Sequence, residues 1–199
     1  FEDDNISANK NWFTLFLERL ISDPVLKNIE VTALNGLCYT SLDESLLKLM
    51  SRAGFRKLHL SYVTHDHELR QQLKRPFDKN NLETLAAAAH KLNIFVTIYV
   101  IIGLPGQSFD QVKKSIDYLL SLNVLVGPSV FYMPPASALY EHLDIHEDIR
   151  NNWNLHRSSA FAVETDKLNR KQLVQLFSYT RRQNLLRKQK SGEQNEHRN

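Results

Sequence analysis

The sequence predicts an α/β fold, part of an open parallel (βα) barrel followed by a C-terminal helix, and three observations carry that prediction. Strand-like and helix-like segments alternate with short breaks along most of the chain, the pattern of a parallel sheet wrapped by helices. The most apolar run, "IFVTIYVII", stops abruptly at Gly103-Leu104-Pro105-Gly106, because Gly supplies unusual dihedrals and Pro removes a donor from the ladder. Right-handed crossovers between parallel strands then bring the exit segments "NGLCYTS", "SYVTHDHE", "GLPGQS" and "YMPPAS" to one rim.

The elements follow in order. In "NKNWFTLFLERLI", Trp12, Phe16 and Leu20, and Phe13, Leu17 and Ile21, recur at helical spacing, which predicts a helix over about 8–22. "IEVTAL" at 29–34 reads as a strand. Ser41 with Glu44 forms a capping-box pattern that starts "ESLLKLMSRAG", and Gly54 sits where a helix C-terminus favours a left-handed residue. "RKLHLSYV" is the next strand, followed by a short helix near 66–74, the turn "KRPFDKN", a helix from Asn80 or Asn81 through Lys91, and the strand "IFVTIYVII". Ser108 or Asp110 starts a helix whose Val112, Ile116, Leu119 and Leu120 share one face. "VLVGPSVFYM" is a further strand ended by Pro134-Pro135, residues 144–166 read as an irregular connector, 167–190 as one helix, and 191–199 as a disordered tail.

With 199 residues and 42% hydrophobic content the chain can bury one good core. No stretch approaches the roughly 18 apolar residues that span a bilayer, and the polar, acidic start carries no signal-peptide pattern, so the expected location is the cytoplasm. One cysteine, Cys38, excludes an intrachain disulfide and any multi-cysteine metal site built by this chain alone. The net charge of +3 is uneven: −4 over residues 1–166 and +7 over 167–199. Lys or Arg at 181, 182, 187, 188 and 190 offer a basic face to nucleic acid, although they lack the interleaved aromatics of a stacking platform.

Several familiar sites fail on spacing. "GLPGQS" has neither G-x-G-x-x-G nor a Lys after its glycines, leaving a capped turn whose amides suit an anion. His59, His65 and His67 invite a metal reading, but no fourth ligand is evident; nothing places a base beside Cys38 as a nucleophile.

Five collinear segments resemble the core of radical S-adenosylmethionine enzymes, and most closely the group often fused to a cobalamin-binding domain. They are "FEDDN" at 1–5 followed by "NKNW", "LNGL" at 34–37 with the helix "DESLLKLMSRAGF", "LKRPF" at 73–77, "IIGLPGQS" at 101–108, and "PASALYE" at 135–141. The resemblance covers 1–143 and implies a partial barrel whose rim holds S-adenosylmethionine and a four-iron four-sulfur cluster, with cobalamin as a further cofactor in some members. It also implies site residues: Asp3, Asp4 and Asn5 near the methionine amino group, Asn35 in the segment after the third strand, and Ser61 or Thr64 as hydroxyl partners of the ribose. Ile101 and Ile102 would pack adenine, backbone at Gly103, Pro105 and Gly106 would approach the nucleoside, and Tyr132, Met133 and Pro134 would close the far side.

The departures have consequences too. The cluster-binding C-x3-C-x2-C loop is absent, Val63 stands where the group has an acidic residue, and Gln107 stands where it has Glu. Soft thiolates hold such clusters, so the reading is of a piece of a longer enzyme, inactive alone, with an unpaired sheet edge available for dimerisation. The alternative is a non-catalytic barrel-derived module that contacts RNA or a protein partner through its basic C-terminal helix.

Overall fold

A computed structural model describes residues 1–2, 5–75, 77–135, 137, 141, 143 and 145–196, with backbone alone from 188. Helix α1 (Lys10–Ser22) starts where the Asn9 side chain accepts the Trp12 N–H at 3.1 Å. Its Phe13 and Leu17 are fully buried, while Trp12 stacks on Phe16 at the surface.

The strand expected at 29–34 does not form as such. Val31 makes a single parallel bridge to Phe55, and the ladder proper is β1 (Leu37–Cys38). Backbone groups of that stretch are engaged from the other side: the Phe1 amino group donates to Thr32 O at 2.7 Å, and Phe1 O accepts from Leu34 N at 3.2 Å. That is the bonding pattern of a parallel pair. Helix α2 (Glu44–Arg52) is capped by Asp43, which accepts from Leu46 N at 2.8 Å, and not by Ser41. Ser41 lies in the turn before it and donates to Cys38 O at 2.7 Å.

Strand β2 (Lys57–Val63), helices α3 (His67–Gln72) and α4 (Lys79–Lys91), strand β3 (Phe95–Ile102), helix α5 (Phe109–Ser121) and strand β4 (Leu125–Val130) follow in the expected sequence. The sheet order is β1-β2-β3-β4, every pair parallel. Alternation sorts the strands into two faces. Leu58, Leu60, Tyr62, Val96, Ile98, Val100, Ile102, Val126 and Val130 are buried under the helices. His59, Ser61, Thr97, Tyr99, Ile101, Gly127 and Ser129 occupy the opposite, concave face and are partly exposed. Each fully buried Leu or Ile of the first set contributes about 1.5–3 kcal/mol.

After a short helix α6 (Glu147–Arg150) and two single turns, Asn169 caps helix α7 (Arg170–Glu196) by accepting from Gln172 N at 3.0 Å. This fixes the start three residues later than the sequence suggests. At the other end the helical backbone continues through 191–196, a stretch expected as a disordered tail. Leu173, Leu176 and Thr180 pack inward. The Asn184 amide donates to Val126 O at 2.8 Å and accepts from Val126 N at 3.1 Å, so α7 satisfies the Val126 backbone on the free side of the edge strand β4, and the Ser158 hydroxyl accepts from Val130 N at 2.7 Å.

Candidate functional site

Because all four strands are parallel, their C-terminal ends share one rim, and each exit is held by a different local device. At the end of β2 the ladder skips a residue, Ser61 pairing with Tyr99 and Val63 with Val100. Val63, where the resemblance expects an acid, is held at φ +73°, which costs a β-branched residue about 1–3 kcal/mol. Asp66 caps α3 through Leu69 N at 2.8 Å while its other oxygen accepts from Gln111 Nε2 at 2.8 Å. The His65 N–H reaches the Ser115 hydroxyl at 3.0 Å. The β2 exit is therefore tied to α5 from two sides. Since His67 opens α3, His65 and His67 do not face one way along an extended segment. Among the described residues no three His, Cys, Asp or Glu side chains converge as a metal set.

An aromatic cluster lies behind this exit. The Tyr62 hydroxyl and His65 Nδ1 are 2.6 Å apart, and burial pushes the tyrosine pKa up and the histidine pKa down. The Arg70 guanidinium stacks on Phe77, 3.4 Å from the ring centroid, and donates to His65 O at 3.1 Å. These groups sit among the helices and away from the concave face.

The β3 exit is built around Gln107, 1% exposed. Its Oε1 accepts from both Gly103 N and Leu104 N at 2.9 Å, and its Nε2 donates to Ile101 O at 3.3 Å. Ser108 and Gln111 form a reciprocal capping box that starts α5. Gly103 has φ +90°, and a Cβ there would lie 2.8 Å from Leu173 Cδ2. Its lack of a side chain serves the approach of α7. Gly106 differs: nothing lies within 4 Å of where its Cβ would stand, which leaves open space beside the backbone.

The predicted site residues do not all meet. Ser61 and Ile101 share the concave face near the rim, whereas Ile102 is fully buried in the core beneath the helices, because neighbouring strand residues point to opposite faces. Thr64 is buried too, its hydroxyl accepting from Asp66 N at 3.2 Å. Met133 is buried, while Tyr132 and Pro134 are exposed. Asn35 is exposed and donates to Glu2 O at 2.6 Å, and Asn5 Oδ1 accepts from the Ser7 hydroxyl at 2.8 Å. Asp3 and Asp4 lie outside the described residues. Between the ends of β2 and β4 the rim holds a small apolar cluster of Val63, Leu104, Phe131 and Val163, with Ile101 packed against it.

On the β1 side a cleft of about 410 Å³ opens between Ser7, Lys10, Thr40, Ser41, Asp43 and Asn81. Burial alone would raise the Asp43 pKa, but Lys10, the Ser45 hydroxyl and Leu46 N–H outweigh it and hold the carboxyl at about 2. That value is below the unfolded one, so the stabilisation is complete above the ordinary carboxylate range and fades as pH falls through the folded value. Asp43→Ala is expected to cost about 1 kcal/mol at neutral pH as a lost helix cap, the exposed ion pair adding little. It should also flatten the acid limb of stability; urea unfolding repeated across a pH series measures both.

Sequence reasoning missed the pair at the centre of the concave face. The Tyr99 hydroxyl lies 3.3 Å from His59 Nδ1, and the two rings are nearly parallel, 14° apart with centroids at 5.9 Å. A Cβ on Gly127 would stand 2.4 Å from Tyr99 Cδ1, and one on Gly36 would stand 3.7 Å from Cδ2. The Tyr99 ring thus spans the inside of the curved sheet from β4 to the turn before β1. Strict alternation along β2 and β3 was the signal that puts His59 and Tyr99 on this face.

No family model matches the chain, and neither does any curated protein. Solved structures do. The chain resembles the radical S-adenosylmethionine methyltransferase TsrM from Kitasatospora setae, solved with cobalamin and a [4Fe-4S] cluster, at a TM-score of 0.52 and 18% identity over 64% of this chain and 26% of that one. It also resembles coproporphyrinogen III oxidase (HemN) from Escherichia coli, a radical SAM enzyme, at a TM-score of 0.59 and 13% identity over 88% of this chain and 37% of that one. The chain spans about a quarter to somewhat over a third of these proteins. Its four parallel strands and their helices have the fold of part of the radical S-adenosylmethionine enzyme barrel.

Proposed function

We propose that the chain forms part of the core of a radical S-adenosylmethionine enzyme, contributing strands and rim segments that receive the nucleoside. The observation that carries the reading is the common rim: four exits from one parallel sheet, including a glycine-flanked β3 turn with free space beside Gly106. Ser61 and Ile101 on the concave side suit a ribose hydroxyl and an apolar ring edge respectively. Rim backbone braced by Gln107 presents the turn without a side chain at Gly106.

The iron-sulfur cluster does not fit this chain's own residues. Cys38 is the single thiol, and its Sγ lies 3.2 Å from the Thr40 hydroxyl; the cluster's ligands would come from outside the chain. When bound, S-adenosylmethionine would supply a reductively cleavable sulfonium, and this chain's part is to bind and orient its nucleoside and exclude water. By itself the chain should be inactive. The parent protein, reconstituted anaerobically with iron and sulfide, is expected to release 5′-deoxyadenosine from S-adenosylmethionine; an iron-free protein with no such product would contradict the reading. Whether cobalamin takes part is read from the same preparation's visible spectrum.

A second reading is favoured by one specific feature. Arg170, Lys171, Arg181 and Arg182 are exposed on α7, a basic face that suits RNA. A mobility shift with single-stranded RNA that vanishes with added salt, in a parent lacking iron, is what this non-catalytic reading predicts.

A further inference from the structure

We propose that Tyr99 and His59 form the floor of the substrate space, and that this floor receives the uncharged, planar aromatic end of a substrate. The proposal rests on the rim reading for the direction of entry, from the strand C-terminal ends toward this layer. The layer itself carries it independently. Sheet register sets Cys38, Ser61, Tyr99 and Gly127 side by side across all four strands, on the concave face. Three small residues surround one large ring.

Gly127 makes this possible. Any side chain there would collide with Tyr99, 2.4 Å from Cδ1 and 2.7 Å from Cε1, so the glycine lets the ring lie across β4. The His59 imidazole continues the surface at nearly the same tilt and holds the phenol oxygen. Toward the rim the next concave-face residues are Ile101 and Ser129, paired across β3 and β4.

Charge decides the ligand class. From His59 to the rim, the concave-face residues of β2, β3 and β4 include no Asp, Glu, Lys or Arg. Burial and the neighbouring Lys57 lower the His59 pKa, which disfavours the imidazolium. An anion brought down to this layer finds the nearest cation of these strands, Lys57, already paired with Glu30 at 3.0 Å, and a cation finds no carboxylate on them, whereas a neutral ring gains stacking on Tyr99 and His59. Hydroxyls at Ser61, Thr97 and Ser129 leave hydrogen-bonding partners for one ring nitrogen or oxygen.

The test uses the whole chain labelled with ¹⁵N and indole as the probe. Indole should perturb the amides of His59, Ser61, Tyr99 and Gly127 and give nuclear Overhauser contacts to the Tyr99 ring protons. Tyr99→Phe, which keeps the ring, should bind indole nearly as well, whereas Tyr99→Leu should weaken it about tenfold. Benzoate, with a similar ring and a negative charge, should bind at least about tenfold more weakly than indole. Contacts confined to the exposed Trp12–Phe16 surface, or benzoate binding equal to indole, would overturn the floor. Should Tyr99→Leu not fold, the contacts to the Tyr99 ring in the unmodified chain decide alone. A parallel titration with S-adenosylhomocysteine separates the two claims: retained indole contacts without nucleoside binding remove the rim reading only, and the reverse removes the floor only.

Discussion

Replacing Gln107 with Ala should destabilise the chain by about 3–5 kcal/mol, one of the two largest single-residue effects expected. The side chain is buried and satisfies three backbone groups: the buried N–H groups of Gly103 and Leu104 and the part-buried carbonyl of Ile101. Each buried polar group left unpaired costs about 1–3 kcal/mol, more than the net worth of an ordinary bond. Gln107→Glu keeps the two accepted bonds, but an ionised carboxylate would be buried with one oxygen against the Ile101 carbonyl, so its cost should be smallest, about 1 kcal/mol, at acid pH, where the protonated carboxyl can donate that bond, and should grow as pH rises. Urea unfolding separates the variants by midpoint at unchanged slope. Amide exchange at Gly103 and Leu104 should accelerate in the Ala variant and stay slow in the Glu variant. Equal losses in both at acid pH would mean that the amide does not organise the β3 exit.

The second large effect lies at Gly54, which ends α2 and leads into the bridge with Val31. Its φ is +103°, and an added Cβ would lie 2.3 Å from the carbonyl oxygen of Ile29. That oxygen is backbone and has no rotamer with which to retreat. Moving it would disturb the neighbouring Val31 N to Gly54 O bond at 3.1 Å, which sets the chain beside β2. Gly54→Ala should therefore cost about 3 kcal/mol or more, backbone strain and steric clash together. Gly106 is the internal control. It has φ +86° but open space around it, so Gly106→Ala should cost only the left-handed penalty of about 1–2 kcal/mol. Thermal unfolding of the pair isolates the clash, and equal shifts in Tm would refute it.

The large elements were legible because their cause is local. Val112, Ile116, Leu119 and Leu120 repeat at helical spacing and all are buried, and the apolar run at 95–102 forms the longest strand of the sheet. What escaped was decided by partners distant in sequence. "IEVTAL" has strand composition, yet only Val31 joins the sheet, through its bond to Gly54 O beside β2, while Thr32 and Leu34 bond to Phe1 on the other side. Asp43 outcompetes Ser41 as the cap because Ser41 is already committed to Cys38 O and lies 2.6 Å from the Ser7 hydroxyl.

The site divides along the same line. Ser61 and Ile101 belong to the face that alternation assigns to the barrel interior, and the same alternation removes Ile102. Gly103 looked like an opening for a ligand, but its space is taken by Leu173, seventy residues away in the sequence. Tyr99 was hidden in a run whose apolar neighbours drew attention to burial. Its role emerges only when register places it opposite Ser61 and Gly127.

The claim on which the account turns is that the exits of β2, β3 and β4 form one mouth for a nucleoside. Amide-shift mapping of S-adenosylhomocysteine on the ¹⁵N-labelled chain tests it most directly. Perturbations should gather at Ser61–Val63, Ile101–Gly106 and Phe131–Met133. Perturbations gathered instead at the strand starts around Lys57, Phe95 and Leu125, or in the cleft beside Lys10 and Asp43, would contradict it.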